Sequence, residues 1–149
     1  MSLIFLTSTG LSDEKIRQEF LRCVGTNRAK RVAIVTTAAS GKAENKYAKL
    51  AETQFKELGF SAIDFVDIEF DSPERLNRYH IIYVCGGNTF YLLYHLKKNG
   101  ADKILSRLLN KSNVIYIGVS AGSIVLAPTI QLAATVDPDP NDIGLTDLT

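Results

Sequence analysis

Short runs of apolar residues alternate along this chain with longer segments in which apolar positions recur every three or four residues. Five runs have the length and β-branched content of strands buried on both faces. They are Leu3 to Thr7, Arg31 to Thr37, Ala62 to Val66, Ile81 to Cys85 and Asn113 to Val119. Because helical segments separate them, we expect right-handed crossovers and a mostly parallel, flavodoxin-like sheet in a three-layer α/β/α sandwich.

Helix boundaries are indicated by a few polar residues and glycines. Ser12 precedes a segment with one apolar face that runs towards Val24, and it is our candidate N-cap. A second helix is predicted over 43–58 and ends at Gly59. Another helical pattern follows Thr89, and a further helix is predicted over 101–109.

The segment Gly118-Val119-Ser120-Ala121-Gly122 is the most informative part of the chain. It places a serine where a buried strand turns into a helix, which is the setting of a nucleophile elbow. Glycines on both sides leave room for a tight turn and keep the hydroxyl clear. Ser120 is therefore the candidate nucleophile; a structural turn or a phosphate-binding loop is the alternative.

A second glycine motif, Gly86-Gly87-Asn88-Thr89, follows the fourth predicted strand. Ligands of open parallel sheets bind beyond the carboxyl ends of the strands, so both motifs should border one crevice. The Ala121 N–H is a candidate oxyanion donor, and Gly87 or Asn88 is the candidate for the second. The alternative for this motif is a plain connection in which Asn88 or Thr89 caps the next helix.

Length, charge and cysteine content reduce the number of functions that the chain could have. The 149 residues fit one domain, and 17 basic against 16 acidic residues give a net charge of +1, which favours neither nucleic acid nor a membrane surface. The first apolar run has no basic leader and is too short for a membrane span, so we expect a cytoplasmic protein. Cys23 and Cys85 fit reduced, buried thiols.

These motifs resemble peptidase E, the S51 group of serine peptidases, which includes cyanophycinase and is related in fold to class I glutamine amidotransferases. The resemblance rests on the segment from Val84 to Phe90 and on the segment from Gly118 to Ser123, with Pro128-Thr129-Ile130 behind it. It implies that Ser120 is the nucleophile and that Ala121 and the loop of Gly86, Gly87 and Asn88 bind the oxyanion and the substrate.

The resemblance also implies the reaction and the partners. The reaction is cleavage of a peptide bond after an N-terminal aspartate, so the substrate is a small peptide. It implies a monomer or homodimer that needs no metal and no cofactor.

The chain departs from the family pattern after the serine, where the family has an acidic residue and then a histidine. No histidine follows His95, and neither His95 nor His80 is well placed to act on Ser120. The family aspartate aligns near Thr135, which leaves Asp137, Asp139 or Asp142 as substitutes, with Asp137 preferred. We therefore expect residues 1–149 to form a single S51-type domain that lacks its C-terminal part, the part that holds the base. A partner subunit that supplies the base is the alternative.

Two other functions fit the same residues. A non-catalytic α/β module could bind a small anionic ligand or a protein partner in the crevice. An α/β-hydrolase esterase shares the elbow, but it needs a longer chain and a late histidine.

Overall fold

A five-stranded, all-parallel sheet forms the centre of the computed structural model, which describes residues 1–136 and 141–149. The strands are β1 (Leu3–Thr7), β2 (Val32–Val35), β3 (Ile63–Val66), β4 (Ile81–Val84) and β5 (Ile115–Val119). They lie in the order β1-β5-β4-β2-β3. Helices pack on both faces, so the predicted α/β/α fold is confirmed.

The helices follow the strands in the predicted alternation. They are α1 (Glu14–Val24), α2 (Lys46–Glu57), α3 (Thr89–Lys98), α4 (Ala101–Lys111), α5 (Ala121–Ile124) and α6 (Ala133–Val136). The predicted N-cap of α1 was wrong. The carboxylate of Asp13 accepts hydrogen bonds from the Lys15 and Ile16 N–H groups, whereas Ser12 ends a short 3-10 segment before it.

Two apolar cores lie on opposite faces of the sheet because strand side chains alternate between them. One core packs α3 and α4 against a face that includes Tyr116 and Ile82. The other packs α1 and α2 against a face that includes Ile34 and Ile117. Within the second core Phe20, Phe55 and Phe60 contact one another, with ring centroids 5.8–6.1 Å apart.

The edge strand β1 is less covered than the strands beside it. It pairs with β5 from Leu3 opposite Ile115 to Thr7 opposite Val119. On the face shared with Tyr116, the Ile4 and Leu6 side chains stay 49% and 58% exposed. The carboxyl end of β1 nevertheless lies beside that of β5, so the segment after Thr7 borders the turn at Ser120.

Replacing Phe55 with alanine should lower the free energy of unfolding by roughly 3–5 kcal/mol, because Phe55 is fully buried among aromatic rings and its loss leaves a cavity. Urea unfolding of the purified variant measures this loss. Tyr47→Ala on the same helix is the matched control: its ring is 66% exposed, so the change should stay within about 0.5 kcal/mol. Equal losses would contradict the packing described here.

Candidate active site

Ser120 lies between the end of β5 and the start of α5 with an unusual backbone conformation. Its φ is 50° and its ψ is −106°, values that a non-glycine residue adopts only when the surrounding structure holds it. Among the described non-glycine residues, only Lys42 shares a positive φ. The Ser120 N–H donates to the Thr7 carbonyl at 2.9 Å, which ties the turn to the end of β1.

The glycines on either side of Ser120 make this turn sterically possible. A Cβ at Gly118 would lie 2.4 Å from the Gly122 carbonyl oxygen, and a Cβ at Gly122 would lie 2.3 Å from the Val84 carbonyl oxygen. Any side chain would collide with backbone, which cannot move aside as a flexible side chain can. The first turn of α5 therefore rests directly on β4 and β5.

A hydrogen-bond network that the sequence did not reveal holds the turn in place. The Ser123 hydroxyl lies 2.9 Å from the Gly118 and Thr7 carbonyl oxygens, and it accepts a hydrogen bond from the Thr7 N–H. From beneath, the buried Tyr116 hydroxyl donates to the Gly122 carbonyl at 2.6 Å. Serine, threonine and tyrosine have many roles, so only their placement in the folded chain marks these residues as supports of the turn.

The loop after β4 meets the turn at Ser120. A Cβ at Gly86 would lie 3.3 Å from the Ser120 Cβ, so the two loops are in contact. Gly87 has φ 139°, and a Cβ there would overlap the Ala38 carbonyl at 1.9 Å. Gly87 is thus required by the close approach of the Ala38 backbone, whereas a side chain at Gly86 would be tightly packed against the turn at Ser120.

Asn88 ends this loop and begins α3. Its side chain accepts a hydrogen bond from the Tyr91 N–H, so the capping role expected for Asn88 or Thr89 is confirmed for Asn88. Its own N–H donates to the Ala38 carbonyl at 3.0 Å. Since this N–H is engaged, the geometry favours Gly87 over Asn88 as the second oxyanion donor beside Ala121.

Lys42 secures the segment that packs against Gly87. Its ammonium donates to the Thr37 carbonyl at 2.8 Å and to Glu69 at 2.9 Å, and it lies 4.7 Å from the centre of the Tyr91 ring. Tyr91 also donates to Glu69, at 2.6 Å, and this bond together with Lys42 lowers the pKa of the Glu69 carboxyl. The loop after β2 is thereby fixed to α3.

A crevice of about 520 Å³ opens beside Ser120 on the α2 side of the sheet. Its lining comes from the loops after β1, β2, β4 and β5 and from α2. Hydroxyl and amide groups dominate the polar part of this lining, and none of the described side chains that form it carries a charge. The expected convergence of both glycine motifs on one crevice is present.

Comparison with known proteins places this arrangement in a family. The model of peptidase family S51 matches residues 4–146. The chain belongs to peptidase family S51. The S51 assignment expected from the two glycine motifs is therefore confirmed.

Relatives of this S51 chain support the same assignment. An uncharacterized peptidase of Listeria monocytogenes is 31% identical over 150 residues, which cover 98% of this chain and 71% of the relative. Peptidase E of a Nostoc species is 31% identical over 134 residues, or 87% of this chain and 53% of that protein. The chain thus spans between 53% and 71% of the length of these two relatives.

A solved structure of a Listeria monocytogenes protein that carries the peptidase E name is similar in fold. It superposes with a TM-score of 0.79 at 30% identity, over 98% of this chain and 72% of that one. Family and relatives are those of a peptidase hydrolase.

Neither histidine of the S51 chain reaches the crevice. His80 lies before β4, at the amino end of the sheet, where its Nδ1 accepts a hydrogen bond from the Arg31 N–H. His95 is only 7% exposed in α3 between Tyr91 and Tyr94, and burial lowers the pKa of its imidazole. Both positions agree with structural roles.

Of the three candidates for the acidic residue, one lies in the described part of the chain. Asp137 and Asp139 lie outside the described residues. Asp142 is described, but its side chain is exposed and is not among the residues that line the crevice. Asp137 as the acid therefore stays a prediction.

Metal-binding groups and reactive thiols were the other candidate sites to look for among the described residues. Among residues 1–136 and 141–149 no three His, Cys, Asp or Glu side chains are grouped to hold a metal ion. Cys85 borders the crevice, but burial raises the pKa of its thiol to about 12, which leaves it protonated at neutral pH. Cys23 is half-buried and forms no disulfide.

In residues 1–136 and 141–149 no helix has the length and apolar character to cross a membrane.

Ser123→Ala should destabilise the protein by about 1–3 kcal/mol, because it leaves the Thr7 N–H without its acceptor and removes one hydrogen-bond donor from the Thr7 and Gly118 carbonyls. Thermal and urea unfolding measure the change. Ser106→Ala, on the exposed side of α4, is the matched control and should have almost no effect. If the two variants are equally stable, Ser123 does not support the turn.

Proposed function

We propose that this chain carries the nucleophile and the oxyanion-binding groups of a serine peptidase that cleaves the bond after an N-terminal aspartate. The observation that carries the proposal is the strained Ser120 beside the Gly86-Gly87 loop at the mouth of the crevice. A serine in a sharp strand-to-helix turn presents its hydroxyl where a carbonyl can approach it. Membership of family S51 supports peptide hydrolysis, and the family resemblance supports aspartate.

The chemistry follows from the positions of these groups. The Ser120 Oγ attacks the scissile carbonyl carbon and gives its proton to a base, and the carbonyl oxygen becomes an oxyanion. The N–H groups of Ala121 and Gly87 are the proposed donors to that oxyanion. Collapse of the intermediate expels the amine, which takes the proton, and leaves an acyl-serine that water hydrolyses.

The described histidines do not supply the base that this mechanism needs. His80 and His95 lie away from the crevice lining, and the sequence contains no other histidine. We propose that the described part of this chain supplies the nucleophile and the oxyanion donors but not the base, and that Asp137 is the acidic partner of that base. An added small base should replace it in part, since the crevice is open to solvent.

Replacing Ser120 separates its chemical role from its structural one. Ser120→Ala should abolish hydrolysis of aspartyl-alanine, measured with and without added imidazole. Ser120→Gly should abolish it too, yet raise the free energy of unfolding by roughly 1 kcal/mol, because glycine adopts φ 50° without strain. Gly100→Ala is the control, because Gly100 also has a positive φ but lies away from the crevice. Alanine is strained at this φ, so the variant should have a lower free energy of unfolding. Turnover that survives in Ser120→Ala would refute the mechanism.

The assay also distinguishes the non-catalytic alternative. One observation favours this non-catalytic binding module: none of the described residues that line the crevice is a histidine. Saturable binding of aspartyl-alanine without cleavage, with or without imidazole, would indicate a binding module in place of an enzyme.

A further inference from the structure

Tyr83 presents an unpaired phenol to the crevice beside Ser120. Its side chain comes from β4 and is only 5% exposed, with its ring packed against Phe55 at a centroid distance of 5.7 Å. No hydrogen bond joins its hydroxyl to another residue in the described part of the chain. The hydroxyl oxygen is not among the buried polar atoms that lack a partner, so it is open to the crevice, where a ligand or water can pair with it.

The hydroxyl lies close to the reacting end of the crevice. A Cβ at Gly10 would lie 2.2 Å from the Tyr83 Oη and 3.0 Å from a methyl carbon of Val119. The phenol oxygen therefore sits beside the residue that precedes Ser120. Only glycine at position 10 leaves this space open, because any side chain there would displace the phenol.

A second oriented hydroxyl borders the same crevice. The Gln54 side chain is buried, and its amide nitrogen donates to the Ser12 Oγ at 3.0 Å. Because that oxygen accepts from Gln54, the Ser12 hydroxyl proton is available to another acceptor. Both Gln54 and Ser12 line the crevice together with Tyr83.

The available groups are hydrogen-bond donors suited to an acceptor-rich ligand. Burial raises the pKa of the Tyr83 phenol, so it stays protonated at neutral pH and can donate. A carboxylate that leaves water needs several hydrogen-bond donors in its place, and neutral hydroxyls can provide some of them.

We propose that Tyr83, assisted by Ser12, is the specificity-determining residue that binds the side-chain carboxylate of the substrate's N-terminal aspartate. This inference rests on the proposed function, since it takes the aspartyl peptide as the ligand. The aspartate side chain enters the crevice, while its main-chain carbonyl faces Ser120. Within the described lining, hydroxyl donors then contribute to recognition of the carboxylate.

Binding of dipeptides to the uncleavable Ser120→Ala protein tests the assignment. Adding Tyr83→Phe removes one hydroxyl and keeps the ring against Phe55. It should weaken binding of aspartyl-alanine about tenfold, the usual effect of losing one hydrogen bond to a charged group, and leave alanyl-alanine within about twofold. Tyr79→Phe is the matched control, because its hydroxyl donates to Asp64 at the other end of the sheet. NMR titration measures the affinities, and thermal melting checks the fold.

Ser12→Ala is a second variant at an exposed position, and thermal melting checks that the loss of the Gln54–Ser12 hydrogen bond leaves the fold intact. It should weaken the aspartyl peptide selectively, by a smaller factor than Tyr83→Phe. Equal loss for both peptides, no loss in either variant, or no saturable binding of aspartyl-alanine would overturn the assignment. Because binding needs no turnover, a selective loss in a protein that never hydrolyses peptides would leave this inference standing while the proposed function fails.

Discussion

The contact between the Gly122 backbone and the Val84 carbonyl is the constraint on which the candidate site depends. The 2.3 Å that would separate a Cβ at position 122 from this oxygen leaves no room for any side chain. With Gly118 equally close to Gly122, the chain must turn sharply, and Ser120 takes up the strain as a positive φ. Hydrogen bonds from Ser123 and Tyr116 fix the turn and offset that strain.

The same close packing determines what surrounds the serine. Because the first turn of α5 rests on β4, the loop after β4 passes directly beside Ser120, and Gly86 touches it. Gly87 in turn lies against the loop after β2, which Lys42 anchors to Glu69. The carboxyl ends of four strands thus contribute to one crevice, whose described lining carries hydroxyl and amide groups and no charged side chain.

Much of the fold and the location of the site could be predicted from the sequence, because both are local patterns. Apolar runs predicted all five strands, and glycines around Ser120 predicted the turn. Sequence could not show that Ser123 and Thr7 share hydrogen bonds, since they lie 116 positions apart and meet only through β1–β5 pairing. The cap at Asp13 was missed because Ser12 and Asp13 are both good caps, and the Gln54–Ser12 contact depends on tertiary packing.

The most direct test of this account is a crystal structure of the Ser120→Ala protein with uncleaved aspartyl-alanine. The account predicts that the scissile carbonyl carbon lies beside the methyl group that the substitution leaves at position 120. The carbonyl oxygen should then lie within hydrogen-bond distance of the Ala121 and Gly87 N–H groups. A peptide bound elsewhere, or one whose carbonyl faces away from these donors, would contradict it.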